Sequence, residues 1–167
     1  RALSASASVP GSECPPVNGM PRIASDDSLW PLGILMLEGA QSLEQHEQML
    51  AIWDNWFARG ERFIPLRIHL DESALDQAPG VARVTKQWLK AGAAENMRRL
   101  VSAMVIVVPP SRFEAMRQLS VETVFGVPGG IFATVDDALE WLRSKDDLTA
   151  EAVISTHALI ESFRAGR

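Results

Sequence analysis

Apolar runs of strand length alternate with amphipathic stretches of helix length from residue 20 to the end of the chain. The first two runs, from Pro21 to Ser25 and from Leu32 to Leu37, predict strands that pair as a hairpin. Continuous apolar strands that alternate with helices are typical of a mainly parallel sheet, because helices bury both of its faces. We therefore expect an α/β domain with an N-terminal β-hairpin, a mainly parallel sheet of four to five strands and alternating helices. The later strands are expected at Phe63 to Leu70, Ala103 to Val108 and Gly130 to Ala133.

Capping residues predict where the helices begin and end. Ser42 and Gln45 have the spacing of a capping box, and Gly60 follows the last residue of the predicted helix 42–59. A second helix is expected to start at Val81, to break near Gly92 and to resume over residues 94–100. Further helices are expected from the capping box of Ser111 and Glu114 to Leu119, from the cap Thr134 over Asp136 to Arg143, and from Thr149 to Phe163.

The chain divides into three parts by composition. Residues 1–19 are rich in Ser, Ala, Pro and Gly, and we expect a flexible tail there because such a segment buries too little apolar surface to offset its ordering entropy. This tail contains the single cysteine, Cys14, and Met20 is a candidate natural start. Residues 20–145 are expected to form the α/β domain, and residues 146–167 a C-terminal helix that packs on the domain or extends it.

The net charge and the hydropathy of the chain argue against nucleic-acid binding and against insertion into a membrane. The formal net charge of −5 argues against a general nucleic-acid-binding protein, since phosphate contacts need clustered Lys and Arg. No apolar run approaches the roughly 20 residues that span a bilayer, so we expect no stable membrane insertion. One cysteine allows no intramolecular disulfide, which fits a cytoplasmic protein.

Two segments resemble STAS-type domains of the SpoIIAA-like group. They are the strand Gly33 to Gly39 that leads into a capped helix, and the closing strand and helix from Ile131 to Leu142. The resemblance covers about residues 20–145 and implies a regulatory module that binds another protein; relatives of the fold also include lipid-carrying and nucleotide-binding domains. In anti-sigma-factor antagonists of this group, a phosphorylatable serine lies within Asp-Ser-x-Gly. The resemblance makes Ser73 a candidate phosphosite, although the glycine is missing here and the loop is longer.

The helix 42–59 has an unusually wide apolar half. Met49, Trp53, Trp56 and Phe57 belong to it. Burial in the core is the simpler interpretation, and the alternative is that one edge lines an apolar-ligand cavity or a homodimer interface. His46 falls in the same arc, where a hydrogen-bonded core histidine is the expected role.

Polar residues follow the strand that ends near Leu70. His69 and Asp71 would share a face if the strand continued, so a His–Asp couple or part of a metal site is geometrically possible. Two ligands do not complete a zinc site, and no Gly-x-Ser-x-Gly motif surrounds Ser73. The simpler interpretation is a polar loop in which the side chain of Asp71 or Ser73 caps the backbone of its own turn. We expect no catalytic residues, no metal and no cofactor.

The second helix carries a basic face on an acidic protein. Arg83, Lys86 and Lys90 lie together at helical spacing and could attract an acidic partner surface. The residues expected to bind a partner are Asp71, Glu72, Ser73, Arg83, Lys86 and Lys90. The glycine-rich segment 126–130 precedes a strand and lacks the Lys of a phosphate-binding loop, so it is interpreted as a turn.

Three hypotheses of function follow. The first is a non-enzymatic regulatory or interaction module that binds a protein partner, as a homodimer. The second is a carrier or sensor of a small apolar, lipid-like ligand beside helix 42–59. The third is an enzyme that uses the loop of His69 and Asp71.

Overall fold

The computed structural model describes residues 20–145 and 147–166. The predicted flexible tail over residues 1–19, with Cys14, lies outside these residues. The predicted C-terminal helix lies within the described residues. Its side chains Thr156 and Ile160 are buried against the rest of the domain.

Five strands form one sheet in the order β1-β2-β3-β4-β5. The first two strands are antiparallel and form the predicted hairpin, and each later strand is parallel to its neighbour. The predicted α/β class and mainly parallel sheet are confirmed. The strands are β1 Arg22–Asp26, β2 Leu32–Glu38, β3 Ile64–His69, β4 Met104–Val107 and β5 Gly129–Phe132.

Seven α-helices connect and follow the strands in the described part of the chain. The predicted caps Ser42, Thr134 and Thr149 each accept a hydrogen bond from a backbone N–H of the first helical turn, and Gln45 completes the capping box of the first helix. The helices are α1 Leu43–Ala58, α2 Val81–Trp88, α3 Ala94–Leu100, α4 Pro110–Met116, α5 Val121–Phe125, α6 Val135–Ser144 and α7 Ala150–Ala165. A 3₁₀ turn, Glu72–Leu75, follows β3, and a π-helical turn, Leu89–Ala93, joins α2 to α3 around Gly92.

The strand order explains why the domain has two separate cores. Right-handed crossovers between strands that are neighbours in sequence place all the connecting helices on one face of the sheet. Accordingly, α1 to α5 cover one face with a core that includes Leu35 and Ile106. The other face, with Ile34 and Val105, is covered by α6 and α7 after the last strand. The C-terminal helix therefore completes the burial of the sheet.

The predicted capping box of Ser111 and Glu114 is wrong. The helix α4 begins one residue earlier at Pro110, whose fixed φ suits a first helical turn and which has no N–H to leave unpaired. Ser111 lies inside the helix, and its hydroxyl donates to the carboxylate of Glu72 instead. The predicted helix also ends at Met116, before Leu119, and the short helix α5 was not expected.

One close approach in the sheet requires glycine. A Cβ atom at Gly129 would lie 2.0 Å from the carbonyl oxygen of Met104 on the neighbouring strand. Because no side chain fits there, the start of β5 can pair with β4 only at a glycine.

Candidate ligand-binding cavity

A cavity of about 270 Å³ lies between the sheet and the helices that cover its α1 face. Its walls come from all five strands, from α1, α2, α4 and α5, and from the 3₁₀ turn after β3. Most of the lining is apolar, and the polar exceptions are few. The apolar lining side chains are Ile23, Leu37, Met49, Ala74, Leu75, Val81, Ile106, Met116, Leu119, Val121, Val124, Phe125 and Ile131.

The side chain of Arg67 lines this cavity from the middle strand of the sheet. In the strand register, Arg67 is flanked by Leu35 on β2 and by Ile106 on β4, which are both buried. Alternation along β3 directs Leu66 and Ile68 to the opposite core. A cation therefore occupies a position at the centre of the sheet where an apolar residue is the norm.

No partner within the described residues neutralises Arg67. Its Nε is fully buried without a hydrogen bond, and no carboxylate of residues 20–145 or 147–166 forms an ion pair with it. Burial lowers the pKa of Arg67 to about 10, because desolvation disfavours the charged form. The guanidinium nevertheless stays protonated at neutral pH, so the cavity contains an unpaired positive charge.

Two histidines beside the cavity are neutral at pH 7. The Nδ1 of His69 lies 3.1 Å from the carbonyl oxygen of Val107 and must donate, which leaves Nε2 as an acceptor. Burial, reinforced by the charge of Arg67, lowers the pKa of His69 to about 3. The same two causes lower the pKa of His46, whose Nε2 lies 2.7 Å from the hydroxyl oxygen of Thr85. Both imidazoles therefore contribute hydrogen-bonding atoms without adding charge.

Four further polar side chains line the cavity, and they are Gln41, Asp76, Gln77 and Ser120. Gln41 donates through Nε2 to the carbonyl oxygens of Glu38 and Gly39, each at 2.9 Å, while its Oε1 is buried without a partner. Asp76 is exposed and forms no ion pair with Arg67 in the described structure. A buried acceptor and an exposed carboxylate thus accompany the partly buried cation.

The aromatic residues predicted to form a ligand or dimer surface belong to the core. Trp53, Trp56 and Phe57 are 3–6% exposed, and the ring centroid of Trp53 lies 5.8 Å from those of Trp56 and Phe57. They pack around Phe63, so the simpler interpretation of burial in the core is confirmed for these three residues, and the alternative of a ligand or dimer surface is wrong for them. Met49, from the same helical face, does line the cavity. The homodimer itself stays a prediction.

The residues after β3 do not meet in one site. Asp71 accepts hydrogen bonds from the backbone N–H groups of Gly39 and Ala74 and from the hydroxyl of Ser73. Asp71 therefore acts as the predicted local cap, and it lines a different surface pocket from the cavity beside His69. Ser73 is half-buried with its hydroxyl 3.0 Å from Asp71 Oδ1, and its phosphorylation stays a prediction.

The other predicted docking residues lie on the surface. Arg83 and Lys86 are exposed on α2, and Lys90 is exposed in the π-helical turn that follows. Positions three and seven residues apart lie on one helix face, so these cations lie close together. Glu72 is exposed but accepts the Ser111 hydroxyl, which occupies one of its carboxylate oxygens.

Arg67 is the residue that sequence reasoning missed. The strand from Phe63 to Leu70 was predicted correctly, and Arg67 is the single cation within it. A charged residue inside a continuous apolar strand is the available signal, because both faces of a central parallel strand are buried.

The fold and the cavity define an α/β domain with a five-stranded, mainly parallel sheet and a partly open cavity of about 270 Å³ on one of its faces. No family model matches the chain, and no curated protein matches it. Among solved structures, the chain is similar to an uncharacterized protein of the DUF3478 family with a SpoIIAA-like fold, from Shewanella loihica. The TM-score is 0.48 and the identity 17%, over 73% of this chain and 93% of that chain. The fold class of the present chain rests on the order and directions of its own five strands.

Two features are absent from the described residues. None of the helices in residues 20–145 and 147–166 has the length and apolar character needed to cross a membrane. Within the same residues, no group of three or more His, Cys, Asp or Glu side chains converges as metal ligands do.

Proposed function

We propose that this protein binds a small, largely apolar molecule in the cavity beside α1, as a carrier or a sensor. The observation that supports the proposal is the cavity itself, which combines an apolar lining with a few convergent polar groups. Small-molecule sites in proteins have this composition, and a volume of about 270 Å³ is near the lower end of the roughly 300–1,000 Å³ that they span. The ligand is therefore compact.

Access to the cavity runs past the segment that contains α4 and α5. Leu119 is 53% exposed and Val124 is 61% exposed, and both residues also line the cavity. Apolar side chains that contact both solvent and the cavity are suited to receive an apolar ligand from water.

Native mass spectrometry of the gently purified full chain tests this proposal directly. We expect a retained small molecule, or saturable binding of 1-octanol by calorimetry. The variant Ala74→Leu adds bulk to a buried position in the lining and should abolish binding, whereas Ala82→Leu adds the same side chain at an exposed position of α2 and should not. Equal binding by wild type and Ala74→Leu, or no binding by either, would contradict the proposal.

A second candidate function is the docking of an acidic protein partner on α2. The supporting observation is that Arg83, Lys86 and Lys90 are exposed together and form no ion pair within the described residues. Exposed charges of this kind mainly increase the rate of association. Because salt screens them, the affinity for the partner should fall as the salt concentration rises.

Cross-linking and pull-down with the double variant Arg83→Glu/Lys86→Glu test the docking proposal. Arg143→Glu, on α6 at the opposite face of the sheet, is the matched control. Loss of a captured partner with the double variant alone is the expected result. Capture that is the same for all three proteins would refute docking at α2.

A further inference from the structure

The charge inside the cavity restricts the chemistry of the ligand. We propose that the ligand is a small apolar monocarboxylate, whose carboxylate pairs with the guanidinium of Arg67 while its apolar body occupies the rest of the cavity. This inference rests on the proposed ligand-binding function and adds the class of ligand to it.

An unpaired cation whose Nε is fully buried is the first argument. A buried charge is costly unless an opposite charge and hydrogen bonds compensate it, and buried Arg is almost always paired. Arg67 has no such partner within the described residues, although its Nε is fully buried. A bound anion would supply both the missing charge and the missing acceptor.

The charge balance favours a carboxylate over a phosphate. His46 and His69 are neutral at pH 7, so Arg67 is the cation of the cavity lining. One guanidinium balances one negative charge, and its planar donors match the two oxygens of a carboxylate. A phosphate monoester carries more than one negative charge near neutral pH, and the excess would stay uncompensated.

The remainder of the lining requires an apolar body. The side chains contributed by α4 and β5 are Met116 and Ile131, and α5 adds Val121, Val124 and Phe125. These residues offer contact without hydrogen bonds, so a polar body such as a sugar would leave its own groups unpaired.

The volume sets an approximate size. A volume of about 270 Å³ lies near the lower end for small-molecule sites, which favours a short ligand with on the order of ten non-hydrogen atoms. Octanoate has this size, and 1-octanol is its uncharged analogue. These two compounds and octyl phosphate are therefore the probes.

Calorimetric titration of the full chain at pH 7.5 compares the three probes. We expect octanoate to bind about tenfold or more tightly than 1-octanol, which is the range for hydrogen bonds to a charged group. Arg67→Met should remove this preference and retain 1-octanol binding. Arg143→Met, an exposed arginine on α6 exchanged in the same way, should leave both affinities unchanged.

Asp76→Asn provides a test that leaves Arg67 in place. Removal of a carboxylate from the lining should strengthen octanoate binding several-fold and leave 1-octanol unaffected, because only the anion is repelled. An unchanged affinity for octanoate would count against the inference.

The outcomes separate this inference from the proposed function. If 1-octanol binds as tightly as octanoate, or if Arg67→Met retains the preference, the carboxylate assignment is wrong while ligand binding stands. Tighter binding of octyl phosphate would also overturn the assignment. If neither octanoate nor 1-octanol binds, both the inference and the proposed function are refuted.

Discussion

Replacement of Arg67 by methionine should stabilise the ligand-free protein. Methionine is close to arginine in length, is apolar and adapts to irregular spaces. In the free protein, Arg67 is an unpaired cation between the buried residues Leu35 and Ile106. Removal of a buried charge that lacks a partner relieves its desolvation cost, whereas most core substitutions destabilise.

The magnitude follows from the change in protonation equilibrium on folding. Burial lowers the pKa of Arg67 from its ordinary value to about 10. At about 1.4 kcal/mol for each factor of ten, this corresponds to about 3 kcal/mol. Because the folded-state pKa is the lower one, the penalty is fully present below pH 10 and declines only above it. Water in the cavity solvates part of the charge, so we expect a gain of about 1–3 kcal/mol at pH 7.

Urea denaturation at pH 7, followed by tryptophan fluorescence, measures the gain. In a chain of this length, each kcal/mol of stabilisation raises Tm by roughly 2–4 °C. Arg83→Met is the matched control, because that arginine is exposed and its loss should change the free energy of unfolding by less than about 0.5 kcal/mol.

Addition of octanoate should narrow the difference between the two proteins. A ligand that binds only the folded state adds about 2.7 kcal/mol of stability to the wild type at a concentration of 100 times its Kd. Arg67→Met, which should bind octanoate about tenfold or more weakly, should gain about 1.4 kcal/mol or less at the same concentration. A loss of stability in ligand-free Arg67→Met would show that the arginine is well paired or packed, and would refute the reasoning.

Three further predictions concern other parts of the structure. Asp71→Ala should cost about 1–3 kcal/mol in urea denaturation, because two backbone N–H groups lose their acceptor, and an unchanged midpoint would contradict this role. The lowered pKa of His69 means that the unfolded state binds a proton first, so stability should fall by about 2 kcal/mol between pH 7.5 and pH 5. His69→Phe should flatten this slope, whereas exchange of the exposed His157 for Gln should preserve it. Gly129→Ala should destabilise by about 3 kcal/mol or more, because its Cβ would meet a carbonyl oxygen of β4, and a variant with wild-type Tm would refute the close approach.

The local elements could be predicted because their signals lie within a few residues. Ser42 and Gln45 form the expected capping box, since both halves of that motif are three residues apart on the same chain segment. The hairpin, the apolar strands and the break near Gly92 follow in the same way from period, length and backbone freedom. Local reasoning failed at Ser111, where a preceding proline started the helix one residue earlier.

The candidate site depended on contacts between segments distant in sequence. The width of the apolar half of α1 was visible, but only packing against Phe63 and Trp88 shows that Trp53 is covered within the chain. The aromatic residues of that half therefore fill the core, while Met49 reaches the cavity.

The sequence by itself determined the order of the strands along the chain, the caps Ser42, Thr134 and Thr149, and the presence of one arginine in an apolar strand. Only the tertiary structure decided that β3 lies at the centre of the sheet, that α1, α2, α4 and α5 leave a cavity over it, and that no described carboxylate reaches Arg67. The physical reason is that helix and strand formation depend on neighbours along the chain. Burial and charge compensation depend instead on which distant segments pack together.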